Sequence, residues 1–363
     1  MKRWLDKIVC GDCLKVLARL KKDRVKAAEK AGVVYEGVAD LVFADPPFNI
    51  GYEYDQYRDN VGEKKYAEWT HKWMRACIDV LKPDGSFYVA IGDEFAAHVW
   101  MIGRELGLHL RNWIVWYYTF GQSTTRKFAR SHTHIFYFVR DSRKFYFDEK
   151  SIRVLSDRQK EYNDRRANAA GKVPDDVWTQ FPRVCGTFRE RLGDHPCQMP
   201  ESLLVRIIRT SCPPAGLVID PFAGSGTTLV AAKKLGRRYL GIELSQGYVR
   251  AAESRLKLTR AGTGETVSRA KWAELHREEL KRLYQENEVP SDQLDRNPQL
   301  LAAFTQQFNA RIEPNSYDGD QIMAQLVSLR KKGELPRVRA HVRENDNGAS
   351  RKSGREPQLF DRE

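Results

Sequence analysis

Two segments about 170 residues apart most limit what this chain can fold into. Asp45-Pro46-Pro47-Phe48 follows the apolar run Leu41-Val42-Phe43-Ala44, and Asp220-Pro221-Phe222-Ala223-Gly224-Ser225-Gly226-Thr227 follows Leu217-Val218-Ile219. Each reads as a buried strand that ends in a carboxylate and a tight turn. Strands of this kind place polar groups over the carboxyl edge of a parallel sheet. The intervening pattern agrees with an α/β fold. Short strands are expected at 7–10, 41–44, 86–91 and 113–118. A helical turn or two is expected at 14–20, and an amphipathic helix at 66–81 stopped by Lys82-Pro83-Asp84-Gly85.

The rhythm breaks between 119 and 192. There, Ile135–Val139 and Lys144–Phe147 could pair as a hairpin around Arg140–Arg143, followed by a polar, Arg- and Asn-rich stretch. It resumes with a helix at 203–210, a strand at 217–220, a helix at 228–235, a strand at 238–243 and a helix at 248–258. Ala261-Gly262-Thr263-Gly264 reads as a boundary. Helices are expected beyond it at 270–287, 298–311 and 321–331, then a tail at 341–363 with the composition of disorder.

Charge divides the chain more sharply than composition does. The formal net charge is +13, and residues 120–192 hold 16 Lys and Arg against 9 Asp and Glu, more than half of the excess. A face for a polyanion is therefore expected in that middle segment. Residues 260–363 are close to neutral, which argues against a major electrostatic contact there. No apolar stretch approaches the roughly 20 residues that span a bilayer, and the start of the chain lacks an apolar signal core, so a cytoplasmic location is the default expectation. The six cysteines form no framework. Cys10-Gly11-Asp12-Cys13 has metal-ligand spacing without a second matching pair, so no metal is expected.

The second segment suits a nucleoside. Gly224 and Gly226 allow a sharp turn before a helix that Thr227 or Thr228 could cap. Glu243 ends the next strand 23 residues after Asp220, a spacing at which an acidic residue can hold ribose hydroxyls. Neither Gly-x-Gly-x-x-Gly nor a Walker loop is present. The first segment suits an amine on a nucleobase. Such an amine is a poor nucleophile because its lone pair is delocalised into the ring. Asp45 and the carbonyl of Pro46 can accept its N–H groups, the two prolines stiffen the turn, and Phe48 offers a stacking face worth about 1–3 kcal/mol.

These residues, together with Gly11-Asp12-Cys13, Asn49-Ile50-Gly51 and His195-Pro196-Cys197-Gln198-Met199-Pro200, resemble the amino-methyltransferases of bacterial DNA over about residues 5–258. The catalytic motif precedes the cofactor motif, as in the β-class arrangement. The resemblance implies an S-adenosylmethionine-dependent methyltransferase fold: α/β, a mostly parallel seven-stranded sheet flanked by helices, in permuted motif order. It implies a catalytic half (1–119), an inserted target recognition region (120–192) and a cofactor half (193–259), while residues 260–340, beyond the resemblance, read by their own pattern as a mainly helical extension.

By the same resemblance Asp45, Pro46, Pro47 and Phe48 are catalytic. The cofactor, S-adenosylmethionine, would meet Asp12, Cys13, Asp45, His195, Gln198, Pro200, Asp220, Phe222, Ala223, Gly224, Ser225, Gly226, Thr227 and Glu243. Asp12 would contact its adenine and Glu243 its ribose. An aspartate at the head of the catalytic motif resembles the adenine-N6 enzymes. Cytosine-N4 methylation on the same scaffold, or a DNA-binding relative without catalysis, are the alternatives. Met199 departs from the lysine often found there. Pro196-Cys197 looks like the nucleophilic dipeptide of cytosine-C5 enzymes, but it lies inside the His-Pro-x-Gln-x-Pro segment.

The expected partner is double-stranded DNA. Arg126, Lys127 and Arg130 are candidates for phosphates, and Asn163, Arg165, Arg166 and Asn168 for base edges. A homodimer and a separate cognate restriction endonuclease stay open.

Overall fold

The computed structural model describes residues 1, 3–52, 56–57, 59–119, 124–162, 164, 166–185, 191, 197–259, 272–335 and 338. Among the motif residues, Asn163, Arg165, Pro196 and His195 lie outside the described residues, as do the 261–264 boundary and the 341–363 tail.

The strands are β1 (Lys7–Cys10), β2 (Ala39–Ala44), β3 (Leu81–Ile91), β4 (His109–Tyr117), β5 (His132–Val139), β6 (Val177–Trp178), β7 (Leu217–Asp220) and β8 (Arg238–Glu243). They form one sheet in the order β1-β8-β7-β2-β3-β5-β4-β6. Among them β5 alone runs against its neighbours, pairing antiparallel with both β3 and β4. The eighth member is only the two-residue β6, parallel to β4.

Strand alternation explains the two cores. Val42, Ala44, Phe87, Val89, Phe136 and Phe138 point to one face, where they meet α1 (Cys13–Lys30), α2 (Glu63–Val80) and α3 (Asp93–Glu105). Leu41, Phe43, Tyr88, Ala90, Ile135 and Tyr137 point to the other, against α5 (Glu201–Ser211), α6 (Thr227–Lys234) and α7 (Gln246–Leu258). Covered on both faces, these strands read as continuous apolar runs. Each fully buried Val, Leu or Phe contributes about 1.5–3 kcal/mol.

Three local expectations change. The hairpin at 135–147 does not form: β5 already has a partner on each edge, and Lys144–Phe147 is not a strand. Instead Asp141 Oδ1 accepts the N–H groups of Arg143 and Lys144, closing a turn at 2.7 and 3.2 Å. The helix near the N-terminus is far longer than two turns, and Asp12 caps it by accepting from Lys15 N at 3.0 Å. At the C-terminus of α2 the chain enters β3 directly at Leu81, and Lys82–Gly85 forms an irregularity inside that strand's pairing with β2.

A third core belongs to the C-terminal helices α8 (Glu274–Asn287), α9 (Ser291–Arg296), α10 (Pro298–Arg311) and α11 (Gly319–Lys331), built on Leu283, Leu294, Phe304, Phe308 and Leu326. Buried ion pairs join it to α5. Arg209 grips Glu279 with two bonds of 2.7 and 2.6 Å, while Arg311 reaches Glu279 and Glu286, and Arg206 reaches Glu286 at 3.1 Å. Arg206 also stacks over Phe181 at 4.5 Å. The short α4 (Asp157–Lys160) and the strand-free segment around it pack on this module, where Gln293 donates to Lys160 O at 2.8 Å.

Candidate active site

The parallel strands β1, β8, β7, β2 and β3 deliver their carboxyl ends to one edge. Cys10 pairs with Glu243, and Asp220 with Gly241. Val42 pairs with Ile219 and Ala44 with Val89. Asp12, Asp45, Asp220 and Glu243 therefore emerge together, as the sequence motifs require.

The turn after β7 is shaped by its own backbone. Phe222 N donates to Asp220 Oδ1 at 2.9 Å, and Ala223 N to Ile242 O at 2.9 Å. Gly224 N donates to Glu243 Oε2 at 2.9 Å and Ser245 N to Oε1 at 2.8 Å, so Glu243 joins the glycine turn to the start of α7. Gly226 sits at φ 74°, and a Cβ there would come within 2.8 Å of Ala252. Glycine is thus required twice over, for left-handed backbone and for the close approach of α7. Neither threonine caps α6: Gly226 is the cap residue, and Thr227 instead shares a 3.0 Å hydrogen bond with Ser225 and accepts from Arg255 at 2.8 Å.

The turn after β2 is held as tightly. Tyr66 donates its hydroxyl to Pro47 O at 2.6 Å. Asp59, 1% exposed, accepts Asn49 N at 2.7 Å, Ile50 N at 3.1 Å and Tyr52 N at 3.1 Å. Asn49, at φ 59°, locks the same loop by exchanging side-chain bonds of 2.8 Å with Val61. Phe48 lies against Gly92, where a Cβ would come within 3.3 Å of its ring.

Electrostatically the edge is a crowded set of acids. Burial and then the charge of Asp220 push the Asp45 carboxyl up to about 8. Burial likewise raises Asp220, to about 7, with Glu243 adding to the rise and bonds from Thr228 and Phe222 N opposing it. Two carboxylates in one low-dielectric place resist ionising together. A cation seated between them and the Glu243 end of the edge would relieve that repulsion.

Cys13 is buried and packs in the core, its thiol raised to about 12 by desolvation and then Asp12. The Cys197 thiol is also raised, by desolvation and then Asp45, the opposite of an activated nucleophile. Gln198 and Met199 are buried, and Pro200 precedes α5 directly.

The residues picked for DNA separate into two places. Arg126 and Lys127 are exposed, next to a fully exposed Phe128. Arg130 is already engaged, with Asp93 and Glu94 at 3.0 Å each, at the start of α3 next to Gly92. Arg166 pairs with Asp164, and Asn168 Oδ1 closes a local turn on Ala170 N. Asn168 lies by the C-terminal helices, on a groove of about 1070 Å³ between 149–170 and α10. The groove carries Glu149, Glu313 and Asp318 against Lys150 and Arg153, a poor balance for a polyanion. Sequence reasoning did not single out Asp59, Tyr66, Glu201 or Arg255. For Asp59 a signal existed: the Asn49-Ile50-Gly51 turn exposes successive N–H groups that need an acceptor.

An eight-stranded sheet with one reversed strand, an acid-lined carboxyl edge and a glycine turn is the architecture of the S-adenosylmethionine-dependent methyltransferases. Residues 39–254 match the DNA methylase family, whose members act on adenine N6 or cytosine N4, and the chain belongs to it. It is 33% identical over 253 residues to the Type II methyltransferase M.HpaI of Haemophilus parainfluenzae, covering 69% of this chain and 74% of that protein. It is 31% identical over 272 residues to the DNA adenine methyltransferase YhdJ of Escherichia coli (strain K12), covering 73% and 87%. The solved structure of the PvuII DNA methyltransferase (cytosine-N4-specific) shares the fold at 17% identity, with a TM-score of 0.50 over 86% of this chain and 94% of that one.

Proposed function

We propose that this protein transfers the methyl group of S-adenosylmethionine to adenine N6 at a specific site in duplex DNA. One observation carries the reading. The Asp45–Phe48 turn, pinned by Asp59 and Tyr66, stands beside the Asp220–Thr227 turn on one sheet edge. The residues fit the cofactor. The 222–227 turn, which Gly226 lets sit directly on Ala252 of α7, and Glu243 form the cradle, and the surrounding acids suit a sulfonium. Asp12 at the end of β1 would face its adenine.

When bound, the cofactor supplies an electrophilic methyl group. Asp45 accepts an N–H of the target amine and orients its lone pair at that methyl group, while Phe48 stacks the base. Attack by the amine would displace the demethylated sulfur as leaving group, and the amine would give up one proton. Asp45, with its raised affinity for protons, is placed to take it. An adenine inside a duplex is out of reach, so it is extruded first, at a cost of a few kcal/mol. Arg126 and Lys127 then serve as phosphate contacts beside the edge, and Arg166 and Asn168 would contact DNA only if it reaches the C-terminal helices.

The aspartate at the head of the motif and the likeness to an adenine enzyme at 31% identity support adenine over cytosine. Incubation with duplex DNA and labelled cofactor, then nucleoside mass spectrometry, tests this. N6-methyladenine is expected. N4-methylcytosine would move the assignment to the other amine, and no methylated base would leave a binding protein without catalysis.

A further inference from the structure

The contacts of Glu201 lead from the C-terminal helices to the cofactor turn. Glu201 is the first residue of α5, directly after the Gln198–Pro200 segment. Three helices send it a cation. Arg282 of α8 reaches Oε1 at 2.6 Å, Lys234 of α6 reaches both oxygens at 2.9 Å, and Arg255 of α7 stands 3.9 Å from Oε2. Burial alone would raise the Glu201 carboxyl, but Arg282, then Lys234 and Arg255, bring it below the ordinary glutamate range. Arg255 in turn donates to Thr227 Oγ1 at 2.8 Å and to Ser225 O at 3.3 Å. Ala252, which abuts Gly226, lies one turn before Arg255 on the same face of α7.

Arg282 is therefore linked to the glycine turn through two residues, Glu201 and Arg255, although it lies outside residues 39–254, which match the family. It is well placed to transmit position. Its side chain is 11% exposed, Glu201 is 12% exposed, and charge-assisted bonds in such surroundings are short and directional. The rest of α8 is fixed by Arg209 and Arg311 on Glu279, so Arg282 has a rigid base.

We infer that the C-terminal helical module is a positioning element of the cofactor site. Arg282 orients Glu201, Glu201 orients Arg255, and Arg255 holds Ser225 and Thr227 in the geometry that receives the nucleoside. This rests on the cofactor reading above. The module thus tunes affinity for the cofactor and its demethylated product without touching either.

The test uses the full chain and S-adenosylhomocysteine as the probe, with Kd measured by calorimetry beside cofactor KM, kcat and melting temperature. Arg282→Gln is expected to raise the Kd and the cofactor KM about five- to tenfold, the scale of one weakened charge-assisted contact. kcat should stay within about twofold, because no group at the reacting amine moves. Arg282→Lys keeps the charge and loses the fork, and should fall between wild type and Arg282→Gln. It carries the test alone if the glutamine variant does not fold. Leu326→Ala, in the buried core of the same module, controls for general loosening: it should lower the melting temperature and leave the Kd unchanged at 25 °C. A wild-type Kd in the Arg282 variants overturns the inference, as does an equal rise in Leu326→Ala. Wild-type protein that binds no S-adenosylhomocysteine would instead overturn the cofactor reading itself.

Discussion

Asp45→Asn should make the ligand-free protein more stable while abolishing methyl transfer. Asp45 ionises at about 8 in the fold against an ordinary 3.8, because it is buried and faces Asp220. The folded state thus binds a proton more tightly than the unfolded state between those two values. The ionised side chain therefore imposes no penalty below about pH 4, and the penalty grows as pH rises towards 8. The whole displacement corresponds to roughly 5 kcal/mol at pH 8. Asp45 keeps some contact with solvent and shares its repulsion with Asp220, so a gain of about 2–3 kcal/mol is expected for the variant. In thermal unfolding of a chain this long that is on the order of 3–4 °C at pH 8.

Asparagine is close in size and neutral, so it reproduces the protonated carboxyl without a cavity. At pH 5 most of the gain should vanish, because wild-type Asp45 is then protonated in the fold at little cost. The assay is differential scanning calorimetry of both proteins at pH 5 and pH 8, without cofactor, together with methyl transfer at pH 8. A variant that is no more stable than wild type at pH 8, or equally stabilised at both pH values, refutes the account of the site as crowded acids. Radiolabelled-methyl transfer at the wild-type rate would refute the role of Asp45 in holding the amine.

Three other perturbations act on particular contacts. Asp59→Ala removes the acceptor of three backbone N–H groups, each worth about 1.5–3 kcal/mol when the acceptor is charged. kcat should fall at least about a hundredfold while the product Kd stays within about threefold, since the cofactor turn is separate; equal losses in both would show the two turns to be one unit. Asp220→Asn removes the charge that helps to raise Asp45, so the acid limb of kcat/KM for cofactor should move to lower pH, and an unmoved limb would count against the pairing. DNA binding should weaken steeply with salt, and replacing Arg126 and Lys127 together by Ala should reduce the slope by about two. An unchanged slope removes those two residues from the phosphate contacts.

The sheet edge was legible because its signals are local. A β-strand buried on both faces needs only a few consecutive apolar residues, and the residues just after it must turn. Leu217–Asp220 and Arg238–Glu243 therefore match the structure residue for residue. The hairpin at 135–147 shows where locality fails. Phe136 and Phe138 read equally well as a strand in a small insert or in the main sheet. Only the open edge between β3 and β4, set by chain far away, decides between them.

Charges divide in the same way into those legible from the sequence and those hidden by folding. An excess of arginine over residues 120–192 suggests a polyanion, yet Arg130 and Arg166 are committed to Asp93, Glu94 and Asp164 in the folded chain. Conversely, near-neutral residues 260–363 suggest no electrostatic role, and that neutrality conceals opposite charges placed with care. Glu279 and Glu286 meet Arg206, Arg209 and Arg311 out of water, and Arg282 reaches across to Glu201. Net charge reports only the sum over a segment, and opposite charges within it, such as Glu279 and Arg282, cancel from that sum even when each pairs with another segment. A neutral extension is therefore compatible with a strong electrostatic role, provided that its partner lies inside the same molecule.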